Sequence, residues 1–291
     1  MSFRHLQDRS VKYFLLAGAS VSIVVVVLIF AFLIREALPY MKSPGLGSFF
    51  SERWAPTSPL KAGYGLLPLV AGSAMVTILA TLIAIPFGVC GAVYIAEIAG
   101  KRERELLKPF IEMIAAIPSV VLGFFGLVVL APIVKSAFGL PTGLTGLTGA
   151  VLLAFMAVPT IMSISEDAIR NVPRSYLDAS LALGANRVQT IFKIVVPAAM
   201  SGIIASIMLG MGRVVGETMA VIMVTGNAAQ FRFTPLVQIR TMTATIAAEM
   251  GEVTNGSTHY QALFWVGIVL LFVTFCINLV ALRVLRTYRR A

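Results

Sequence analysis

From residue 13 to residue 33 the chain carries no Asp, Glu, Lys, Arg or His, and similar apolar runs recur at 67–95, 109–130, 149–164, 200–225 and 262–280. A helix of about 20 residues crosses the ~30 Å hydrocarbon core of a bilayer. Lipid offers the backbone no hydrogen bonds, so only helices or closed barrels can span it. Each run is too long and too evenly apolar for a half-buried strand, which predicts six transmembrane helices and an all-α polytopic membrane protein. With 58% hydrophobic and 12% charged residues, against about 25% charged in soluble domains, the chain has no stretch suited to a soluble catalytic domain. The first run is longer than a secretory h-region and lacks a small-residue cleavage site before Arg35 and Glu36, so it is expected to remain as the first span.

Six spans place both termini on one side. The amino end, the 96–108 connection, the 166–199 connection and the tail hold fifteen of the 23 Lys and Arg, against seven on the opposite connections. The positive-inside bias therefore predicts cytoplasmic termini and a cytoplasmic 166–199 segment. Because the basic residues lie in short runs beside apolar spans, the net charge of +10 fits membrane-side bias and membrane lipids, and nucleic acid is set aside as a partner. On the opposite side, Trp54 and the pair Phe49–Phe50 are expected at the lipid interface, and LVQIRTMTATIAAEM reads as a short surface or re-entrant helix.

The 166–199 connection is a long charged interruption between strongly apolar spans. Leu177, Leu181 and Ala182 at helical spacing, then Gly184, then a second apolar pattern from Val188, predict helix, sharp turn, helix, with Pro173 and Pro197 punctuating the ends. Its apolar face must be buried against the membrane helices or a partner.

In the fifth run, GMGRVVGETMAV sets Arg213 and Glu217 four residues apart, on one helical face. A charge at that depth costs a few kcal/mol and should face protein or water. Two readings stand side by side. In one, the two residues form a buried pair that fixes helix packing, with Gly210, Gly212 and Gly216 allowing close approach. In the other, Arg213 offers donors to a crossing anion, Glu217 holds the guanidinium, and the Thr218 hydroxyl follows on the same path. The hydroxyls of Thr218 and, upstream, of Ser206 and Ser201 equally fit back-bonding to the helix.

There is no GxxxxGK[ST], HExxH or GxSxG segment. Cys90 and Cys276 sit in apolar runs, and His5 and His259 stand alone in sequence. No catalytic residue, metal ligand or cofactor site is therefore expected. Energy must come from another subunit or from an ion gradient, which leaves an ion-coupled anion carrier as an alternative.

At these two segments the sequence resembles the permease subunits of bacterial binding-protein-dependent ABC importers. YLDASLALGANRVQTIFKIVVPAAMSGI is similar to their cytoplasmic EAA loop, with Asp178, Ala179 and Ser180 as the opening triplet, Gly184 as its glycine and Pro197 at its end. Asp replaces the usual Glu and Ser the second Ala, while the spacing to the glycine is kept. WAPTSP, YGLLPLVAGSAMVTILATLIAIPFGV, AAIPSVVLGFFGLVVLAP, VPTIMSISEDAI and GRVVGETMAV narrow the resemblance to PstC-type permeases of phosphate importers. The resemblance implies a type I ABC-importer permease fold in a bacterial inner membrane. It divides the chain into a first span and extracytoplasmic loop (1–66), a permease core (67–285) with the coupling loop 166–199, and a basic tail (286–291). The implied partners are a second, PstA-like permease, an ATPase dimer on the cytoplasmic face that receives the loop, and a periplasmic or lipid-anchored phosphate-binding protein. The implied cargo is inorganic phosphate, with Arg213 and Glu217 associated with its passage; a permease for another oxyanion remains the alternative.

Overall fold

Six helices of the computed structural model are long and apolar enough to cross a bilayer: Val11–Met41, Leu67–Ile98, Ser119–Phe138, Gly146–Arg170, Arg187–Gly216 and Thr258–Val284. The structure describes residues 2–42, 45–59 and 61–288, with side chains described from Val11 to Val284 except Leu46. The expectations on His5 and the basic residues before Val11, and on the 286–291 tail side chains, lie outside this set.

In chain order, α1 (Ser2–Ala37) leads through a two-stranded ribbon, Trp54–Ala55 against Gly63–Tyr64, to α2 (Leu67–Val93), which a π-type turn extends to Ile98. Then come α3 (Lys101–Ala115) and α4 (Ser119–Phe125), the latter continued by a second π-type turn into α5 (Ala131–Phe138). α6 (Gly146–Arg170), α7 (Arg174–Ala182) and α8 (Arg187–Thr190) follow, and a third π-type turn leads into α9 (Val196–Gly216). α10 (Met219–Val224), α11 (Met242–Glu249) and α12 (Thr258–Tyr288) complete the chain.

α6 is the central rod, packed against α2 and α9. Without a hydrophobic driving force in lipid, helices associate through close packing of small residues. Ala80 and Ala84 of α2 and Ala150, Ala154 and Ala157 of α6 are all buried in one cluster. A Cβ on Gly88 would come within 2.7 Å of Ile161 Cγ2, so the two backbones approach where glycine permits it. α1 stands apart, resting on α12 through the Phe32–Phe264 edge contact, while Trp265 Nε1 donates to Ala37 O at 2.7 Å. Its apolar residues from Val11 to Ile29 are exposed, as befits a lipid-facing span.

Several boundaries differ from the sequence reading, and the fifth span begins at Arg187, before the expected 200. The expected span 109–130 is broken: α3 is an amphipathic helix on the hairpin side that ends at Ala115, and the crossing begins at Ser119. Pro118 explains this, since proline cannot continue α3's hydrogen-bond ladder and serves instead as the extended N-cap of α4, at ψ 137°. The fourth span runs on to Arg170, so Glu166–Arg170 belong to a membrane helix and not to the loop. The fifth span breaks at Glu217–Thr218.

Trp54 and Phe49 are also corrected. Both are buried, in a cluster with Tyr40, Leu66 and Leu263, and of the three aromatics expected at the interface only Phe50 is exposed. Trp54 Nε1 donates to the Glu249 carboxylate at 3.2 Å; Arg240 Nη1 (2.6 Å) and His259 Nε2 (2.8 Å) also contact that carboxylate. His259, solitary in sequence, therefore sits in a clasp joining the ribbon, α11 and α12. The short helix expected from LVQIRTMTATIAAEM forms as α11, with Met242, Ala244 and Thr245 buried.

Candidate functional site

The break before the third span and the break in the fifth lie close together, bridged by Arg213. α3 ends at Ala115 and α4 starts at Ser119; α9 ends at Gly216 and α10 starts at Met219; α4 and α10 pack against each other. Gly123 makes this contact possible, because a Cβ there would stand 3.0 Å from Ala220 Cα.

Arg213 lies between the interruptions. Its Nη2 donates to Ala115 O and its Nη1 to Thr160 Oγ1, both at 3.3 Å. Ala115 is the last residue of α3, and Arg213 occupies the last turn of α9, so two helix C-termini present negative partial charge to the guanidinium. These oxygens are neutral, and among the described residues no carboxylate lies within ion-pair distance of Arg213. The expected Arg213–Glu217 pair is not formed.

Glu217 does something else. With φ −70° and ψ 132° it leaves the helix, and its Oε1 accepts from the backbone N–H groups of Thr218 (3.1 Å) and Ala220 (3.3 Å), the free donors at the start of α10. A helical face cannot run through an extended residue, which is why the i,i+4 spacing fails. The Thr218 hydroxyl turns back onto Gly216 O at 3.2 Å, and Thr243 Oγ1 of α11 donates to Glu217 O at 3.0 Å. Close packing at Gly212 and Gly216 is not observed: a Cβ at either would meet nothing within 4 Å, so the face beside Arg213 is open. The tight approaches fall at Gly202 against Ala168 and Gly210 against Ile161. Ser206 back-bonds to Ile203 O at 2.7 Å and meets Ser165 Oγ at 2.6 Å.

The helical hairpin is formed by α7 and α8. α7 ends in a paired C-terminal motif: Ala185 N–H donates to Ser180 O at 3.2 Å and Gly184 N–H to Leu181 O at 3.0 Å, with Gly184 at φ +86°. Asn186 then caps α8, accepting from Gln189 N–H at 2.8 Å while Gln189 Oε1 accepts from Asn186 N–H at 3.1 Å. Ser180 and Thr190 hydroxyls meet across the hairpin at 3.0 Å. Asp178 and Ala179 stay exposed on α7, Leu183 at the tip is 89% exposed, and Pro197 occupies the first turn of α9.

Lys108 was not singled out from the sequence. From α3 its Nζ donates to Glu166 Oε2 and to Asp167 Oδ1, both at 2.7 Å, and Arg170 Nη1 donates to Glu166 Oε1 at 3.3 Å. Hydrogen bonds first to Asp167 and then to Glu166 hold the Lys108 ammonium above its ordinary range. Glu166 is buried, at 1% exposure, so this ion cluster fastens α3 to the hairpin-side end of α6. Only the mixed signs of residues 101–108 and 166–170 hint at it in sequence.

Residues 84–290 match the family described as binding-protein-dependent transport system inner membrane component. A relative from Bacillus subtilis, named a probable ABC transporter permease protein YqgH, is 43% identical over 225 residues, 77% of this chain and 72% of the relative. A Xylella fastidiosa relative, named phosphate transport system permease protein PstC, is 32% identical over 99% of this chain and 94% of its own length. Among solved structures, an inward-facing MetNI methionine ABC transporter matches with a TM-score of 0.57 at 20% identity, covering 77% of this chain and 94% of that one. A bacterial ABC transporter for the import of alginate matches with a TM-score of 0.67 at 15% identity over 98% and 99%. At these identities the structures speak for the fold alone.

Proposed function

The chain belongs to the family of binding-protein-dependent transport system inner membrane components, and on that premise we propose that it is one permease half of an ATP-driven importer of inorganic phosphate. Family membership makes it a multi-pass transport subunit of a bacterial inner membrane, not a catalytic domain, with ATP hydrolysis in a separate partner.

The observation that carries the phosphate reading is Arg213, a guanidinium within the fifth apolar run that, among the described residues, no carboxylate neutralises and that borders an open face. A cation at that depth, held by neutral oxygens with donors to spare, attracts an oxyanion from either side. Relatives named PstC support phosphate over other tetrahedral oxyanions, whereas the name of the Bacillus relative states no cargo. In this reading Glu217 and Thr218 shape the path by fixing the α9–α10 break. The α7–α8 hairpin, with Asp178, Ala179, Ser180, Gly184 and Pro197, is the cytoplasmic joint to an ATPase dimer. Both termini share that side, residues 1–66 form a first span and outer loop, 67–285 the permease core, and 286–291 a basic tail. A PstA-like second permease and a phosphate-binding protein complete the assembly.

The test is ATP-dependent uptake of labelled phosphate by the whole complex in vesicles, challenged with excess sulfate or molybdate. Uptake insensitive to both, and reduced about tenfold or more by Arg213→Gln in complexes that still assemble, is the expected outcome, since a hydrogen bond to a charged group contributes about 1.5–3 kcal/mol. Uptake of sulfate or molybdate in place of phosphate would redirect the assignment to another oxyanion.

A further inference from the structure

At the root of the hairpin lies a polar cavity of about 200 Å³ that the transport path does not use. Its wall includes four arginines from four elements: Arg104 of α3, Arg170 of α6, Arg174 of α7 and Arg187 of α8. The one acidic side chain in the wall is Glu97. Arg104 spends Nε on Ile95 O at 2.8 Å and Nη2 on Ala96 O, and Arg187 spends Nη2 on Glu97 O. These acceptors are backbone carbonyls of the π-type turn that ends α2; they orient the guanidinium groups without cancelling their charge. Arg170 is offset in part by Glu166, whose other oxygen is taken by Lys108.

Arg174 is the informative one. It stands at the first position of α7, where a cation opposes the helix dipole, and it has no hydrogen bond or ion pair among the described residues. The exposed guanidinium is left to solvent and opposes the helix dipole; an anion in the cavity would offset that cost.

The geometry points to this cavity as a binding site for a phosphate group, carried either by free orthophosphate or by an anionic lipid headgroup at the membrane face. Arginine forks match phosphate oxygens in pairs, and at ~30 Å³ per water the space holds a tetrahedral oxyanion with part of its hydration. Bound there, the anion bridges α7 and α8 to the ends of α2 and α3, so its occupancy stiffens the hairpin against the body. The site is separate from the transport path and stands whatever the cargo is.

The experiment is hydrogen exchange across residues 174–190 of the full chain in phosphatidylcholine nanodiscs. Orthophosphate is compared with chloride at matched ionic strength, and separately phosphatidylglycerol is added to the bilayer. Slowing of exchange by severalfold with orthophosphate, lost in Arg174→Gln and retained in Arg213→Gln, establishes a free-anion site. The same pattern with phosphatidylglycerol alone assigns the headgroup as the source. Arg174→Gln removes no bond of the fold, and unchanged exchange of this variant in chloride verifies its hairpin. Absence of slowing under both conditions, or slowing that survives Arg174→Gln, overturns the site; slowing lost in Arg213→Gln instead would move the anion to the transport path and overturn it equally.

Discussion

At Glu217 two roles make different demands on one carboxylate. An ion partner of Arg213 must be charged, and its amide would fail as badly as its truncation. A cap for Thr218 and Ala220 N–H needs only an acceptor oxygen, which an amide also has. We expect Glu217→Gln to melt in detergent close to the parent, and Glu217→Ala to lose about 1 kcal/mol, the usual effect of removing a helix cap. Equal losses in both variants would restore the ion-pair role. Arg213 is the complementary case: among the described residues no carboxylate lies beside it, and its charge rests on the neutral oxygens of Ala115 and Thr160. The sequence spacing could place both residues in one short segment but could not tell which of them was satisfied, because that depended on where the helix broke.

Between elements, the tie from α3 to α6 is the clearest device. Lys108 is 31% exposed at its side chain and Glu166 only 2%, so removing the lysine leaves a buried carboxylate with one long contact to Arg170. Breaking a fully buried pair costs about 3–5 kcal/mol; partial solvation of Lys108 lowers the expectation for Lys108→Met to roughly 2 kcal/mol by thermal unfolding. Glu166→Gln in the same background should recover part of that loss. Because the folded-state pKa of Lys108 is raised, its stabilisation is complete below the ordinary lysine pKa and fades only as pH climbs through the raised value. Stability measured from neutral to mildly alkaline pH should therefore show no step in the parent that Lys108→Met removes. The second half of α3, Pro109–Ala115, is apolar enough by sequence to start a membrane span. Pro118 decided otherwise, and its breaking effect outweighs the hydropathy of the residues before it.

For the whole molecule, the hairpin, the arginine cavity and the Lys108 cluster all lie at one end of the bundle, and the Trp54–Glu249 clasp joins the ribbon, α11 and the start of α12 at the other. In the proposed orientation, which rests on the basic excess, the hairpin end faces the cytoplasm. Leu183→Cys, at an exposed tip that leaves the Asn186 cap intact, should resist membrane-impermeant maleimide in sealed cells and react in inverted vesicles. Labelling in sealed cells would reverse the orientation and remove the hairpin from contact with any cytoplasmic ATPase.

The sequence alone determined the six crossings, the hairpin and its glycine turn, since these follow from run length, helical spacing and the backbone freedom of Gly184. Residues close along the chain could be judged from the chain. It also supplied Arg213, because a charge in an apolar run is visible without coordinates. Only the tertiary structure decided that Glu217 caps α10, that Arg213 reaches Ala115 and Thr160, that Trp54 is buried on Glu249, and that four arginines share one cavity. Those facts depend on helix breaks and on contacts between segments tens to hundreds of residues apart, which the packing of α2, α6 and α9 brings together and local pattern does not encode.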